Sequence, residues 1–137
     1  RMGDPECQVI LPRLKTDIVK VFKNSLANKL KNIKIKWKDQ KSMTIVLCSK
    51  GYPGSYRKEI PINNIDKIKL SKSDFIYHAG TKTINNQIVS NGGRLLNITS
   101  SGNSFVKIRN KIILIIKKLN CKYTFYRKDI GWKVISK

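Results

Sequence analysis

Histidine occurs once in this sequence, as His78, which excludes a metal centre built from several imidazoles and any repeated Ser-His-Asp arrangement. Cysteine occurs three times, at Cys7, Cys48 and Cys121, widely spaced and with no C-x-x-C pair. A structural zinc site is therefore not expected, and the three read as reduced thiols. Long apolar runs are missing too: the longest, residues 112–116, falls far short of the roughly 20 residues that cross a bilayer. Residues 1–8 are polar and carry no stretch of signal-peptide type, so a cytoplasmic location is expected. In that setting the Asn97-Ile98-Thr99 triplet is not read as a glycosylation acceptor.

Acidic residues are few as well. Eight Asp and Glu face 29 Lys and Arg, a formal net charge of +21. Such a balance normally points to nucleic acid, because cationic side chains neutralise phosphates and release counterions. Arginine, the better bidentate reader of phosphate and guanine, is the scarce partner here, with 6 copies against 23 lysines. The lysines accompany 20 Ile and 12 Asn, the trio that AT-rich coding favours, and they are spread through every segment instead of forming one arm. Composition thus accounts for the charge without a nucleic-acid partner. A basic nucleic-acid-binding module is kept as the alternative reading.

What is present is periodicity. Leu11, Leu14, Ile18, Phe22 and Leu26 recur at spacings of three and four, which predicts a helix over about 17–30. Residues 33–37 alternate Ile, Lys, Ile, Lys, Trp, and 43–48 are more continuously apolar; with the polar turn 38–41 between them, they predict an antiparallel hairpin. Further strands are expected over 74–77, 87–89 and 95–99, with Asn85-Asn86 as a tight turn. Behind the capping residues 101–104, Phe105, Ile108, Ile112, Ile115, Ile116 and Leu119 line one face of a second helix. Strands outnumber helices and no β-α-β spacing recurs. The expected class is α+β, an antiparallel sheet or partial barrel with covering helices.

Five short motifs stand out in order: Arg1-Met2-Gly3-Asp4-Pro5-Glu6, Gly51-Tyr52-Pro53-Gly54-Ser55-Tyr56, His78-Ala79-Gly80-Thr81, Gly92-Gly93-Arg94 and the stretch 126–132. Each has a plain structural explanation. Gly3 and Pro5 punctuate a turn whose Asp4 and Glu6 could cap the next helix. Pro53 and Gly54 occupy the second and third positions of a type II turn. His78 closes a strand, Gly92 and Gly93 suit a bulge, and Tyr126, Ile130 and Trp132 dock the tail while residues 127–129 form surface charge pairs. Each of the first four also has a functional explanation. The glycines let backbone amides approach a ligand closely, with Ser49, Lys50 and Ser55 beside the second motif to meet phosphate, and His78, Thr81 and Arg94 able to join a shared anion. Neither phosphate-loop spacing, G-x-x-x-x-G-K-[ST] or G-x-G-x-x-G, occurs.

Taken together and in this order, the motifs resemble the C-terminal part of the phosphoribosylamine-glycine ligases, also called glycinamide ribonucleotide synthetases, of the ATP-grasp type. The resemblance covers essentially the whole chain. It implies that residues 1–30 finish an ATP-grasp domain and 31–137 form a C-terminal domain similar to the one that closes biotin carboxylase. It implies an enzyme of purine biosynthesis that joins glycine to 5-phosphoribosylamine with ATP and magnesium or manganese, by way of glycyl phosphate. Arg1 would face the reacting carboxylate or acyl phosphate. Gly3, Asp4, Glu6, Lys50, Gly51, Tyr52, Pro53, Gly54, His78, Gly80, Thr81, Gly93 and Arg94 would line the substrate pocket. The family's metal ligands, in a Glu-x-Asn pattern, would lie ahead of Arg1, and the 126–132 motif resembles the family's C-terminal end. At 137 residues the chain is too short for a complete nucleotide-driven ligase of several domains. It is therefore expected to bind neither ATP nor metal alone, to be inactive alone, and to have the missing N-terminal ATP-grasp portion as partner. An excised domain, one half of a split enzyme and a decayed gene remnant all fit.

Overall fold

The computed structural model describes residues 2–135. Four helices, α1 (Glu6–Ile10), α2 (Ile18–Leu26), α3 (Phe105–Leu119) and α4 (Trp132–Ile135), accompany six strands: β1 (Lys41–Ser49), β2 (Asp74–His78), β3 (Thr81–Ile84), β4 (Gln87–Ser90), β5 (Arg94–Gly102) and β6 (Thr124–Phe125). The sheet is antiparallel, in the order β2-β5-β1-β6, and β3-β4 form a separate two-stranded hairpin. The architecture is the α+β class expected.

One face of the sheet is apolar. Met43, Ile45 and Leu47 of β1 and Leu96 and Ile98 of β5 meet Ile108, Ile112, Ile115, Ile116 and Leu119 of α3 in a single buried cluster. Each such side chain contributes about 1.5–3 kcal/mol on burial, so this layer dominates the stability. Helix α3 starts where Ser104 accepts from the Lys107 amide and stops at Asn120, whose φ of 45° is left-handed. The other face carries hydroxyls that satisfy one another: Thr99 Oγ1 donates to Thr44 Oγ1 at 2.8 Å, Thr44 Oγ1 to the Ile98 carbonyl at 3.2 Å, and Ser101 Oγ to Ser42 Oγ at 3.2 Å. Such a face tolerates a polar N-terminal arm against it, and α1 packs there on β1 and β5.

The hairpin expected between 33–37 and 43–48 does not form. Both neighbours of β1 are other strands, β5 and β6. Residues 33–37 instead pair back onto the arm. The Lys36 carbonyl accepts from Lys15 and Thr16, the Lys38 amide donates to Arg13, and Leu14 bridges Trp37. Alternation reported extended chain correctly but carried no information about its partner. The first long helix is also shorter than expected. Asp17 caps α2 through the Val19 amide, and Asn28, at φ 55°, stops it before the one-turn segment Leu30–Asn32. In the tail, Tyr126 and Ile130 pack on the core as anticipated, whereas Trp132 is 57% exposed, with the Lys133 ammonium over its ring. Arg127 and Asp129 form the expected surface pair. Cys7, Cys48 and Cys121 are free thiols, and burial pushes the last two above the usual thiol range.

Candidate functional site

Antiparallel pairing brings the motifs together. The ends of β1 and β2 and the start of β5 lie at one edge of the sheet because Cys48 pairs with Arg94 and His78 with Leu96. Between the Leu47–Leu96 and Cys48–Arg94 pairs the register slips, so Leu95 stands opposite no residue and forms a bulge at the site. The Ser49 amide donates to the Gly93 carbonyl at 2.8 Å, and the Gly80 amide to the Arg94 carbonyl at 2.7 Å. The Gly80 carbonyl in turn accepts from Asn91 and Gly92. Three motifs distant in sequence are thus stitched by backbone bonds.

Side chains complete the patch. Gly93 is buried beneath the Tyr52 ring so closely that a Cβ there would overlap it, and Tyr56 meets Tyr52 edge-on at 5.9 Å. The turn that carries Tyr52 spans residues 49–52, three residues earlier than the expected type II turn. Its hydrogen bond runs from the Tyr52 amide to the Ser49 carbonyl, and Gly51, not Gly54, has the positive φ, at 99°. The Tyr52–Pro53 peptide is cis. Lys50, Gly51, Pro53, Gly54 and Ser55 are exposed around this turn. Ser49 is fully buried and spends its hydroxyl on the Arg57 carbonyl at 2.7 Å, so it does not point outward to meet a phosphate as anticipated. His78 is exposed, and its Nδ1 shares a hydrogen bond with Thr81 Oγ1 at 2.9 Å.

The N-terminal motif joins the same patch. Asp4 Oδ2 lies 3.2 Å from Arg94 Nη2, and Asp4 Oδ1 accepts from Asn97 Nδ2 and Gln8 Nε2, each at 3.0 Å. Asp4 and Glu6 do not cap α1, whose first turn follows Pro5 without a side-chain cap. Gly3 instead lies close against the Glu6 carboxylate. Arg1 lies outside the described residues. Asn97 and Gln8 were missed in the sequence. Asn97 left a signal, since it is a lone amide inside the apolar stretch Leu95–Ile98; it is fully buried, with its Oδ1 unpartnered.

The described residues do not supply the ligands of a metal ion. No group of three or more His, Cys, Asp or Glu among them could hold a metal. Their exposed carboxylates are few, and Asp4, Glu59, Asp74 and Asp129 are already in ion pairs.

Comparison with known proteins identifies the family. Residues 42–133 match the family model described as phosphoribosylglycinamide synthetase, C domain. A phosphoribosylamine-glycine ligase from Caldanaerobacter subterraneus subsp. tengcongensis is 42% identical over 131 residues, covering 96% of this chain and 31% of that protein. One from Agrobacterium fabrum is 36% identical, covering 100% of this chain and 32% of its own length. The crystal structure of a phosphoribosylamine-glycine ligase from Thermotoga maritima superposes with a TM-score of 0.69 at 26% identity, covering 94% of this chain and 31% of that one. The chain spans about a third of the length of these relatives. With residues 42–133 matching the family model and relatives of 42% and 36% identity matched along nearly the whole chain, the chain belongs to the phosphoribosylamine-glycine ligase family and corresponds to the family's C-terminal portion.

Proposed function

We propose that this chain supplies the phosphoribosylamine-facing wall of a phosphoribosylamine-glycine ligase whose ATP and metal sites reside on the N-terminal ATP-grasp portion. The complete reaction would convert glycine, 5-phosphoribosylamine and ATP into glycinamide ribonucleotide, ADP and phosphate in purine biosynthesis. A free carboxylate is a poor acyl donor, so the chemistry needs activation that this chain cannot provide alone. Its own contribution is positioning. The observation that carries the reading is the convergence of Tyr52 on Gly93 and of Gly80 on Arg94, next to the Asp4–Arg94 pair. Around that junction, exposed Lys50, His78 and Arg94 offer cationic or hydrogen-bonding groups suited to a sugar phosphate. Arg1, three residues before Asp4, would serve the reacting carboxylate, and Gly3 and Glu6 would border it.

The test uses ribose 5-phosphate as a stable stand-in for the amine. Titrated into the pure chain, it should move the amide resonances of residues 50–52, 54, 78–81 and 93–94 together and saturably. Unsaturable shifts spread over the lysine-bearing surface would defeat the proposal. Catalysis is tested separately: the chain alone should form no ADP in the presence of glycine and phosphoribosylamine. Turnover should appear on addition of the N-terminal portion, which would also exclude a non-functional remnant.

A further inference from the structure

Arg94 and Asn97 of β5 are an odd number of positions apart, so in a regular strand their side chains would leave opposite faces of the sheet. Here both reach the same carboxylate, that of Asp4. The bulge at Leu95 is the cause. It adds one residue to β5 against β1, and Leu95 and Leu96, both fully buried, enter the same core cluster instead of alternating. The parity of the strand changes there, which turns Arg94 onto the hydroxyl-bearing face where Asn97 lies.

Asn97 is an unfavourable residue at this place. It sits on an inner strand between Val46 and Tyr77, where Asn is disfavoured, and it is fully buried. Among the described residues its Oδ1 has no partner, and its Nδ2 donates to Asp4 Oδ1 alone. A leucine would carry none of these penalties. What the amide secures is the direction of Asp4. Asp4 Oδ1 is held by Asn97 and by Gln8, each at 3.0 Å, which leaves Oδ2 turned to Arg94 Nη2 at 3.2 Å. Arg94 Nη1 donates to the Asp4 carbonyl at 3.4 Å, so the guanidinium is gripped from one side while its side chain stays 44% exposed.

We propose that Asn97 is a positioning residue, which through Asp4 holds the Arg94 guanidinium in the orientation that receives the phosphate of the sugar-phosphate substrate. The inference rests on the functional reading above and assigns the phosphate to one side chain of the patch. A guanidinium fixed in advance binds an anion without ordering its long side chain at that moment. By charge alone Asp4 repels a phosphate, so its place beside Arg94 is accounted for by direction and not by field.

The experiment compares the pure chain with Asn97→Leu and with Asp4→Asn, which keeps the Oδ1 that Asn97 needs but no longer attracts Arg94. Asn97→Leu should keep the urea midpoint of the parent, and both variants should bind ribose 5-phosphate roughly threefold to tenfold more weakly, the cost of ordering one flexible side chain on binding. In the free parent the Arg94 Nη protons, assigned by their loss in Arg94→Lys, should resolve as separate NMR signals because rotation of the guanidinium is hindered. In both variants they should merge. Asp4 is partly exposed, so Asp4→Asn carries the test should Asn97→Leu fail to fold. Affinities within twofold of the parent with unchanged Arg94 signals overturn the inference, as does tighter binding by Asp4→Asn, the result that charge alone gives. A parent without a saturable ribose 5-phosphate response defeats the functional reading, and Arg94 signals that merge in the variants still establish the clamp. A saturable response that both variants keep does the reverse.

Discussion

The Asp4 carboxylate and the Arg94 guanidinium, 90 positions apart in the chain, lie 3.2 Å from each other and join the N-terminal arm to the sheet. Their side chains are 40% and 44% exposed, so the charge pair itself is worth at most about 1 kcal/mol. The buried partner matters more. Asn97 is fully buried, and among the described residues its Oδ1 has no partner and its Nδ2 bonds to Asp4 Oδ1 alone. Asp4→Ala should therefore cost about 1–3 kcal/mol, the penalty for stranding a buried polar group, and Arg94→Ala no more than about 1 kcal/mol. Urea unfolding of the two variants reads the difference directly. Equal small losses would mean that Asp4 does not hold the amide.

Gly93 and Tyr52 make a second, sharper prediction. A methyl at position 93 collides with the Tyr52 ring, so Gly93→Ala should destabilise by about 1–3 kcal/mol through overpacking. Removing the ring in a Tyr52→Ala background should abolish most of that cost, giving a coupling of at least about 0.5 kcal/mol in a double-mutant cycle. Additive losses would show that the glycine serves the backbone alone. In the ribose 5-phosphate titration, Gly93→Ala should also displace the 51–54 turn and weaken the response there.

Elements held by one continuous stripe were legible in the sequence. Helix α3 begins and ends where the isoleucine spacing placed it, and Asn85 and Asn86 take the left-handed φ values of 47° and 60° expected of a tight turn. What was not legible is pairing between distant segments. Residues 33–37 alternate like a strand, yet the pairing made by residues 36–38 goes to residues 13–16, because period two reports a pleated conformation and not the identity of its neighbour. The site shows the same division. The motif glycines were visible, but Gly93 proves to accommodate a tyrosine of this chain, and Asp4 and Asn97 meet only through a contact spanning 93 positions.

The charge of the chain permits a direct check on the alternative partner. Lysines scattered over the surface give electrostatic, sequence-independent attraction and little more. Binding of a labelled 20-base-pair duplex at physiological salt should therefore be no tighter than about 10⁻⁶ M and should weaken steeply as salt rises. Fluorescence anisotropy across a salt series measures both. Nanomolar binding that persists at high salt would restore nucleic acid as the partner.

Asp74 sets the behaviour in acid. It is buried at the start of β2, with Lys111 Nζ at 2.8 Å, Ser100 Oγ at 2.7 Å, Ser71 Oγ at 2.6 Å and the Ser71 amide at 2.9 Å. Burial on its own raises a carboxyl pKa, but here the bonds from Lys111, Ser71 and Ser100 together outweigh it and hold the group below the usual carboxylate range. The unfolded chain consequently binds the proton first. The stabilisation from Asp74 is fully present above its unfolded pKa of about 3.9 and is lost as pH falls through the lower folded value. Asp74→Asn should cost about 1–3 kcal/mol at neutral pH, because hydrogen bonds to a buried carboxylate are lost while Lys111, 43% exposed, keeps its water, and should flatten the decline in stability below about pH 4. Because the network lies where β2 and β5 meet α3, away from the motif patch, the ribose 5-phosphate response of the folded variant should be unchanged. Chemical denaturation from pH 2.5 to 7 provides the profile, and an acid limb as steep as that of the parent would assign the titration to another carboxylate.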